Sequence, residues 1–267
     1  MPDLPTRDAT AAQAQLVPDL GRRRSAGVHA GDTGADGGVG EQHALAVQRM
    51  FDRISPTYDL LNRWLSAGTD RRWRRRALEL LAEDLPEGPL LDSCAGTLDL
   101  AAAMLQRFGE RQVVAADFAR EMLLAGRGKL GGRGQLAVAD AMALPFASGS
   151  FAGMTCGFGM RNLARPERGI AECHRVLKAG GRLVVLEFFR PTAIPSRLFH
   201  ALYGRVVLPL LGGLVSGDGE AYGYLSRSMR GFMTRGEFAR ALEQAGFREV
   251  GSCDLTFGIA SLVWGRK

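Results

Sequence analysis

Residues 90–99 read Leu90-Leu91-Asp92-Ser93-Cys94-Ala95-Gly96-Thr97-Leu98-Asp99, and a second apolar run, Val113-Val114-Ala115-Ala116-Asp117, follows. The first is a short buried-strand pattern that ends on an acid and passes through a tight loop into a helical pattern over 98–108. The second is a strand pattern that also ends on an acid. Strand, loop and helix in this order form the unit of a parallel sheet, which places its ligands at the carboxyl ends of the strands. The helix start there offers unpaired backbone N–H groups to a polar or anionic ligand. Asp117, about 20 residues past the loop, stands where an acid accepts both ribose hydroxyls of a nucleoside cofactor.

The alternation continues in both directions. Strand patterns cover 135–139, 151–157 and 183–188. Helical patterns cover 121–130 and 167–177, the latter closed by Ala179-Gly180-Gly181. This predicts an α/β fold, a mostly parallel sheet with helices on both faces. The end differs. The stretch 194–215 is apolar and helical, interrupted by Pro209 and Gly212-Gly213, and 222–231 reads as another helix. Thr234-Arg235-Gly236-Glu237 has the spacing of a capping box opening a helix to Gln244. Two last strands, 250–257 and 259–264, pair as a hairpin around Gly258. Upstream, Leu45, Val47, Met50, Phe51 and Ile54 have helical spacing. A second run covers 58–65, and an Arg-rich helix runs to Leu81. Residues 1–43, rich in Ala, Gly, Asp and Arg, read as a disordered tail. The domain is then 44–267, with a helical cap over 44–82 and a helical lid inserted at 192–232.

Composition bounds the class. The chain has 267 residues, and 46% hydrophobic content excludes a wholly disordered protein. No stretch approaches the ~18 apolar residues of a membrane span. The N-terminus lacks the pattern of a secretory signal. Cys94, Cys156, Cys173 and Cys253 are far apart, with no CxxC and no His at metal spacing. The expectation is no metal site, no disulfide framework and a reduced, cytoplasmic compartment. Four Arg against five Asp leave residues 1–40 at −1, so the rest carries +7 of the net +6. Much of it lies in Arg71-Arg72-Trp73-Arg74-Arg75-Arg76. That run suits a solvated helix face or an anionic membrane surface. The aromatic-studded patterns of RNA-binding modules are absent, so no nucleic-acid partner is expected.

The loop lacks the GxGxxG of an NAD site. Asp92 at the first strand end suits a ligand bearing an ammonium group, although an acid there also serves as a helix cap. Asp140-Ala141, after the third strand, is placed to meet an adenine edge. S-adenosyl-L-methionine has the ammonium, the ribose and the adenine.

From about Val47 onward the chain resembles the quinone-biosynthesis C-methyltransferases, the demethylmenaquinone enzymes and their ubiquinone-pathway relatives. The resemblance rests on Phe51-Asp52 through Tyr58-Asp59-Leu60-Leu61-Asn62, Ala143-Leu144-Pro145-Phe146, Phe158-Gly159-Met160-Arg161-Asn162 and the segment 175–183. Leu186-Glu187-Phe188, Val207-Leu208-Pro209, Ala221-Tyr222-Gly223-Tyr224-Leu225 and Leu255-Thr256-Phe257-Gly258-Ile259 complete it. It implies a Rossmann-like class I methyltransferase with seven strands, the last antiparallel. It also implies S-adenosylmethionine as cofactor and an isoprenoid quinol as substrate. Thr97, Asp117, Asp140 and Ala141, with Asp92 and Gly96, would contact the cofactor; Tyr58, Arg161 and Asn162 would line the substrate side. Arg161 would stabilise a developing quinolate oxygen, and Asn162 or Tyr58 would orient the hydroxyl. Peripheral membrane contact and a homodimer stay open.

The chain departs from the family's usual glycine-rich loop at Ala95 and Leu98, and Gly157 replaces a Ser. A Leu at position 98 is strained if its φ is positive and costs little if it sits in the first helical turn. Either way it is expected to crowd the methionine end of the cofactor. Two alternatives follow: methylation of another small molecule, such as a ubiquinone precursor or a natural product, or a degenerate partner protein without activity.

Overall fold

The computed structural model describes residues 47–55, 58, 66, 68–192 and 219–267. The expected tail at 1–43, the helical run 58–65 save Tyr58, and the apolar run 194–215 lie outside these residues. Among the described residues, a helical segment over 47–54 is followed by α1 (Asp70–Leu81), β1 (Leu90–Ser93), α2 (Asp99–Phe108), β2 (Val113–Asp117), α3 (Arg120–Gly126), β3 (Gln135–Val138) and β4 (Phe151–Gly157). Then come α4 (Pro166–Val176), β5 (Leu177–Glu187), α5 (Gly219–Gly231), α6 (Arg235–Gln244), β6 (Arg248–Leu255) and β7 (Ala260–Arg266).

The seven strands form one sheet in the order β3-β2-β1-β4-β5-β7-β6. Strands β1 to β5 pair in parallel, with Asp92 beside Ala115 on one side and Thr155 on the other. β7 runs antiparallel between β5 and β6, as the terminal hairpin expected from the sequence requires. The fold is thus the expected one.

Strand periodicity of two sorts the side chains into two cores. Leu90 belongs to a cluster with Trp73, Leu78 and Leu81 of α1 and Leu100 and Met104 of α2. Its neighbour Leu91 faces the opposite cluster, with Ile170 and Cys173 of α4 and Phe238 and Leu242 of α6. Phe238 and Leu242 are fully buried, each contributing about 2–3 kcal/mol of apolar transfer energy. The α6 capping box is complete: the Glu237 N–H donates to Thr234 Oγ1 (3.2 Å) and the Thr234 N–H to Glu237 Oε2 (2.7 Å).

One boundary differs from expectation. The stretch Ala179-Gly180-Gly181 does not close the preceding helix; it lies inside β5, which starts at Leu177. Leu177 pairs with Phe151, then the register breaks and resumes at Gly153 opposite Arg182, leaving 178–181 as a bulge. Gly180 has φ +74°, and the main chain there ties down the C-terminus, Gly180 N–H to Lys267 O and Lys267 N–H to Gly181 O, both 2.8 Å. The tie is to a strand end far along the chain, so local pattern does not signal it.

Candidate active site

The carboxyl ends of β1, β2, β3 and β4 surround a cleft with about 790 Å³ of empty space, its mouth included. Cys94 and Gly96 come from the β1–α2 loop, Asp117 and Phe118 from the end of β2, Asp140, Ala141 and Met142 from the segment after β3. Gly157 to Gly159, Asn162 and Leu163 follow β4, and Phe51 and Tyr58 close the cleft from the N-terminal cap.

The β1–α2 loop turns by left-handed residues at every second position: Cys94 (φ +54°), Gly96 (φ +52°) and Leu98 (φ +70°). Leu98 precedes the first residue of α2, so the strained alternative holds. Its side chain does not crowd the cleft, however. It is fully buried in the core beneath α1 and α2, where burial offsets the left-handed cost of roughly 1–2 kcal/mol.

Asp117 is the organising acid. The Gly96 N–H donates to its Oδ2 (2.8 Å) and the Ala119 N–H to its Oδ1 (2.8 Å), tying the loop to the start of α3. A carboxylate oxygen has a second lone pair, so both oxygens can still accept a diol in the cleft. Burial pushes this carboxyl up to about 6, against the pull of those two N–H groups. The Asp140 side chain accepts from the Met142 N–H (2.8 Å), which sets Asp140-Ala141-Met142 in a tight turn along the cleft wall.

Asp92 goes elsewhere. Its carboxyl is buried between β4 and α2, accepting the Thr155 hydroxyl at 2.7 Å, while Oδ2 has no hydrogen-bond partner. It lies on the Leu90 side of β1 and does not line the cleft. Desolvation raises it to about 7, the Thr155 hydroxyl only partly offsetting this. Thr97 is also buried, its carbonyl packed against Gly126 of α3, where any Cβ would come within 2.2 Å. Thr97 thus holds the loop to α3 and is not among the residues lining the cleft.

On the substrate side, Arg161 and Asn162 form a short 3-10 turn after β4. Asn162 lines the cleft; the Arg161 side chain is buried, with Nη1 donating to Glu187 Oε1 and to Phe158 O, both 2.6 Å. Burial raises the Glu187 carboxyl, and the Arg161 charge and the Phe188 N–H pull against that rise. The Arg161 guanidinium also stands 5.6 Å from the Phe188 ring. Tyr224 of α5 donates its hydroxyl to Asn162 Oδ1 (3.2 Å) and packs against the Met50–Ile54 cluster, as do Phe51 and Tyr58. Gln48 Nε2 reaches the Phe118 carbonyl (3.1 Å), fastening the cap over the cleft. Cys94, Phe118, Met122 and Tyr224 are site residues not singled out in the sequence. Only Tyr224 had a signal there, its Tyr-x-Tyr-Leu segment. His174 is far from this chemistry, edge-on to Phe247.

The residues present fit S-adenosylmethionine. A doubly tethered carboxylate faces the cleft, Gly96 leaves the loop backbone open with only Met122 Cε within reach of a Cβ (3.6 Å), and Phe118, Met122 and Met142 supply flat apolar walls. Sheet order and cleft define a Rossmann-like methyltransferase fold. Solved structures agree: a Thermotoga maritima S-adenosylmethionine-dependent methyltransferase, 20% identical, superposes with a TM-score of 0.60 over 82% of this chain and 99% of that one. A Haemonchus contortus phosphoethanolamine N-methyltransferase in complex with S-adenosyl-L-methionine, 12% identical, gives 0.55 over 77% and 55%. At such identity these likenesses show the fold. The family model of the ubiE/COQ5 methyltransferases matches residues 38–267, and the chain belongs to that family. Its relatives include a demethylmenaquinone methyltransferase of Thermus thermophilus, 46% identical over 80% of this chain and 97% of its own. A ubiquinone/menaquinone biosynthesis C-methyltransferase of Syntrophotalea carbinolica is 44% identical over 81% and 92%.

Proposed function

We propose that this protein methylates a ring carbon of demethylmenaquinol, an isoprenoid naphthoquinol, in menaquinone synthesis. The observation that carries the reading is one cleft, in a chain of this family, that is lined both by the acids Asp117 and Asp140 and by Phe51, Tyr58, Phe158 and Asn162. Curated relatives at 46% and 44% identity carry the corresponding names.

Asp117 and Asp140-Ala141 would hold the ribose and adenine, and the open backbone at Gly96 would admit the rest of the cofactor. S-adenosylmethionine supplies, when bound, an electrophilic sulfonium methyl. The protein's part is to hold the quinol ring in line and dry, because orientation and exclusion of water lower the barrier most. Phe51, Tyr58 and Phe158 provide apolar walls for a flat ring. Asn162, its carbonyl engaged by Tyr224, is fixed to orient a quinol hydroxyl. Arg161, one residue away, places positive charge beside an oxygen that becomes anionic as its proton leaves. Leu98 lies in the core, which favours a working cofactor site over a degenerate one.

A lipophilic quinol calls for work at a membrane surface. In this reading the contact is peripheral, on the inner face; among the described residues no helix is long and apolar enough to cross a membrane. The test is incubation with S-adenosylmethionine and chemically reduced demethylmenaquinol. The expected product is heavier by one methyl. Saturable cofactor binding without that product would overturn the substrate, and no cofactor binding by the folded protein would overturn the enzyme.

A further inference from the structure

Phe257 is 94% exposed, in a protein whose other large apolar side chains are covered among the described residues. It sits in the turn between β6 and β7, where Thr256 and Phe257 both have positive φ (+45° and +57°). Non-glycine residues in that region persist only where the surroundings hold them, and such strain gathers at functional surfaces. Here the anchor is visible: Trp73 Nε1 donates to Thr256 Oγ1 at 2.8 Å. Trp73 is the buried centre of the Arg run on α1, so the turn and the Arg-rich helix are neighbours. Arg71, Arg72, Arg75 and Arg76 are exposed around it, with Glu79 pairing Arg75 and Arg76.

The sheet fixes where this surface lies. β6 runs parallel to β1 through β5, being antiparallel to β7, so the turn after β6 is at the same edge as the cleft. α1 starts at that edge: Trp73 meets Phe158 at a tilt and Phe188 edge-on, rings that follow β4 and β5, whereas the Leu80 carbonyl meets Arg182 lower on β5. Phe158 itself lines the cleft. Phe158 and Trp73, with the Trp73–Thr256 hydrogen bond, therefore link the cleft wall to the exposed turn.

We propose that Phe257 and the exposed arginines of the first half of α1 form a docking surface for a bilayer carrying anionic lipid. Phe257 enters the headgroup layer and Arg71, Arg72 and Arg75 meet lipid phosphates. Charge complementarity selects this occupant: a cationic helix turn beside a single exposed aromatic ring matches an anionic interface with an apolar interior. The inference rests on the proposed lipophilic substrate for its purpose, but not for its measurement.

The experiment is sedimentation of the full chain with vesicles of phosphatidylcholine, with or without phosphatidylglycerol. Phe257→Gly is the informative variant, since glycine relieves the positive φ and keeps the fold. The wild type is expected to partition onto phosphatidylglycerol vesicles and to be released by salt. Phe257→Gly is expected to weaken partition about tenfold, and Arg71→Gln with Arg72→Gln about thirtyfold, with thermal stability unchanged or raised. Methylation of a tail-less, water-soluble naphthoquinol should be unaffected in both variants. Binding that ignores phosphatidylglycerol, or that Phe257→Gly leaves intact, would overturn the proposal. So would vesicle-free self-association that Phe257→Gly abolishes, which would assign the surface to a second copy. Vesicle binding together with no turnover of any naphthoquinol would instead overturn the substrate reading and leave the docking surface standing.

Discussion

The Arg161 guanidinium and the Glu187 carboxylate meet at 2.6 Å in the interior, with side-chain exposures of 6% and 0%. Arg161 is therefore the countercharge of a buried acid, and in the proposed mechanism it is also a charge beside the substrate. Truncating one member of a buried pair leaves the other uncompensated, at about 3–5 kcal/mol. Arg161→Ala should lower unfolding stability by that amount as well as turnover. Arg161→Met combined with Glu187→Gln should recover most of the stability, measured by urea unfolding, but little of the turnover. Recovery of both would remove Arg161 from the chemistry.

Asp92 gives the protein a pH signature. Its carboxyl lies at about 7 in the folded chain against an ordinary 3.8. The folded state binds this proton more tightly, so the contribution of Asp92 to stability falls as pH rises from about 4 to about 7 and stays low above that. Asp92→Asn removes the penalty and still accepts the Thr155 hydroxyl. Relative to wild type, the variant should gain of the order of 2–4 kcal/mol between pH 4 and pH 8. A difference in stability that does not change with pH would show that the carboxyl is not desolvated.

The family resemblance implies a Ser at the position of Gly157, and Leu100 packs against that position. A Cβ at Gly157 would stand 2.6 Å from Leu100 Cδ1. Gly157→Ser should cost about 1–3 kcal/mol through overpacking. Together with Leu100→Ala it should cost at least about 1 kcal/mol less than the two separate losses predict, because neighbours in contact couple. Strict additivity in chemical denaturation would mean that Leu100 moves aside freely.

Leu98 sets left-handed strain against burial. Glycine would relieve about 1–2 kcal/mol of backbone cost and forfeit about 2–5 kcal/mol of packing. The lost packing outweighs the relieved strain, so Leu98→Gly should destabilise by about 1–3 kcal/mol in thermal or urea unfolding. A stabilised variant would reverse that ranking.

The strand–loop–helix reading of 90–99, the acids at 92, 117 and 140, and the terminal hairpin were legible in the chain, because they depend on local periodicity and on turn residues. So was the Thr234 cap, which needs only residues three apart. The bulge in β5 was not legible, since its cause is a pairing between Gly180 and Lys267. The roles of the acids also divided. Asp117 and Asp140 reach the cleft, whereas Asp92, equally a strand-terminal acid, turns to Thr155 under α2. Alternation along a strand decides which face a side chain takes, but only the packed sheet decides what covers that face. Sequence alone thus determined the α/β class, the resemblance to a methyltransferase family and the two acids, Asp117 and Asp140, that line its cleft. Tertiary structure alone decided that Leu98 is core, that Arg161 is tied to Glu187, and that Phe257 stands at the cleft-bearing edge of the sheet, next to the Arg helix. These are contacts between residues far apart in the chain, and their energies depend on burial and distance, which local pattern does not encode.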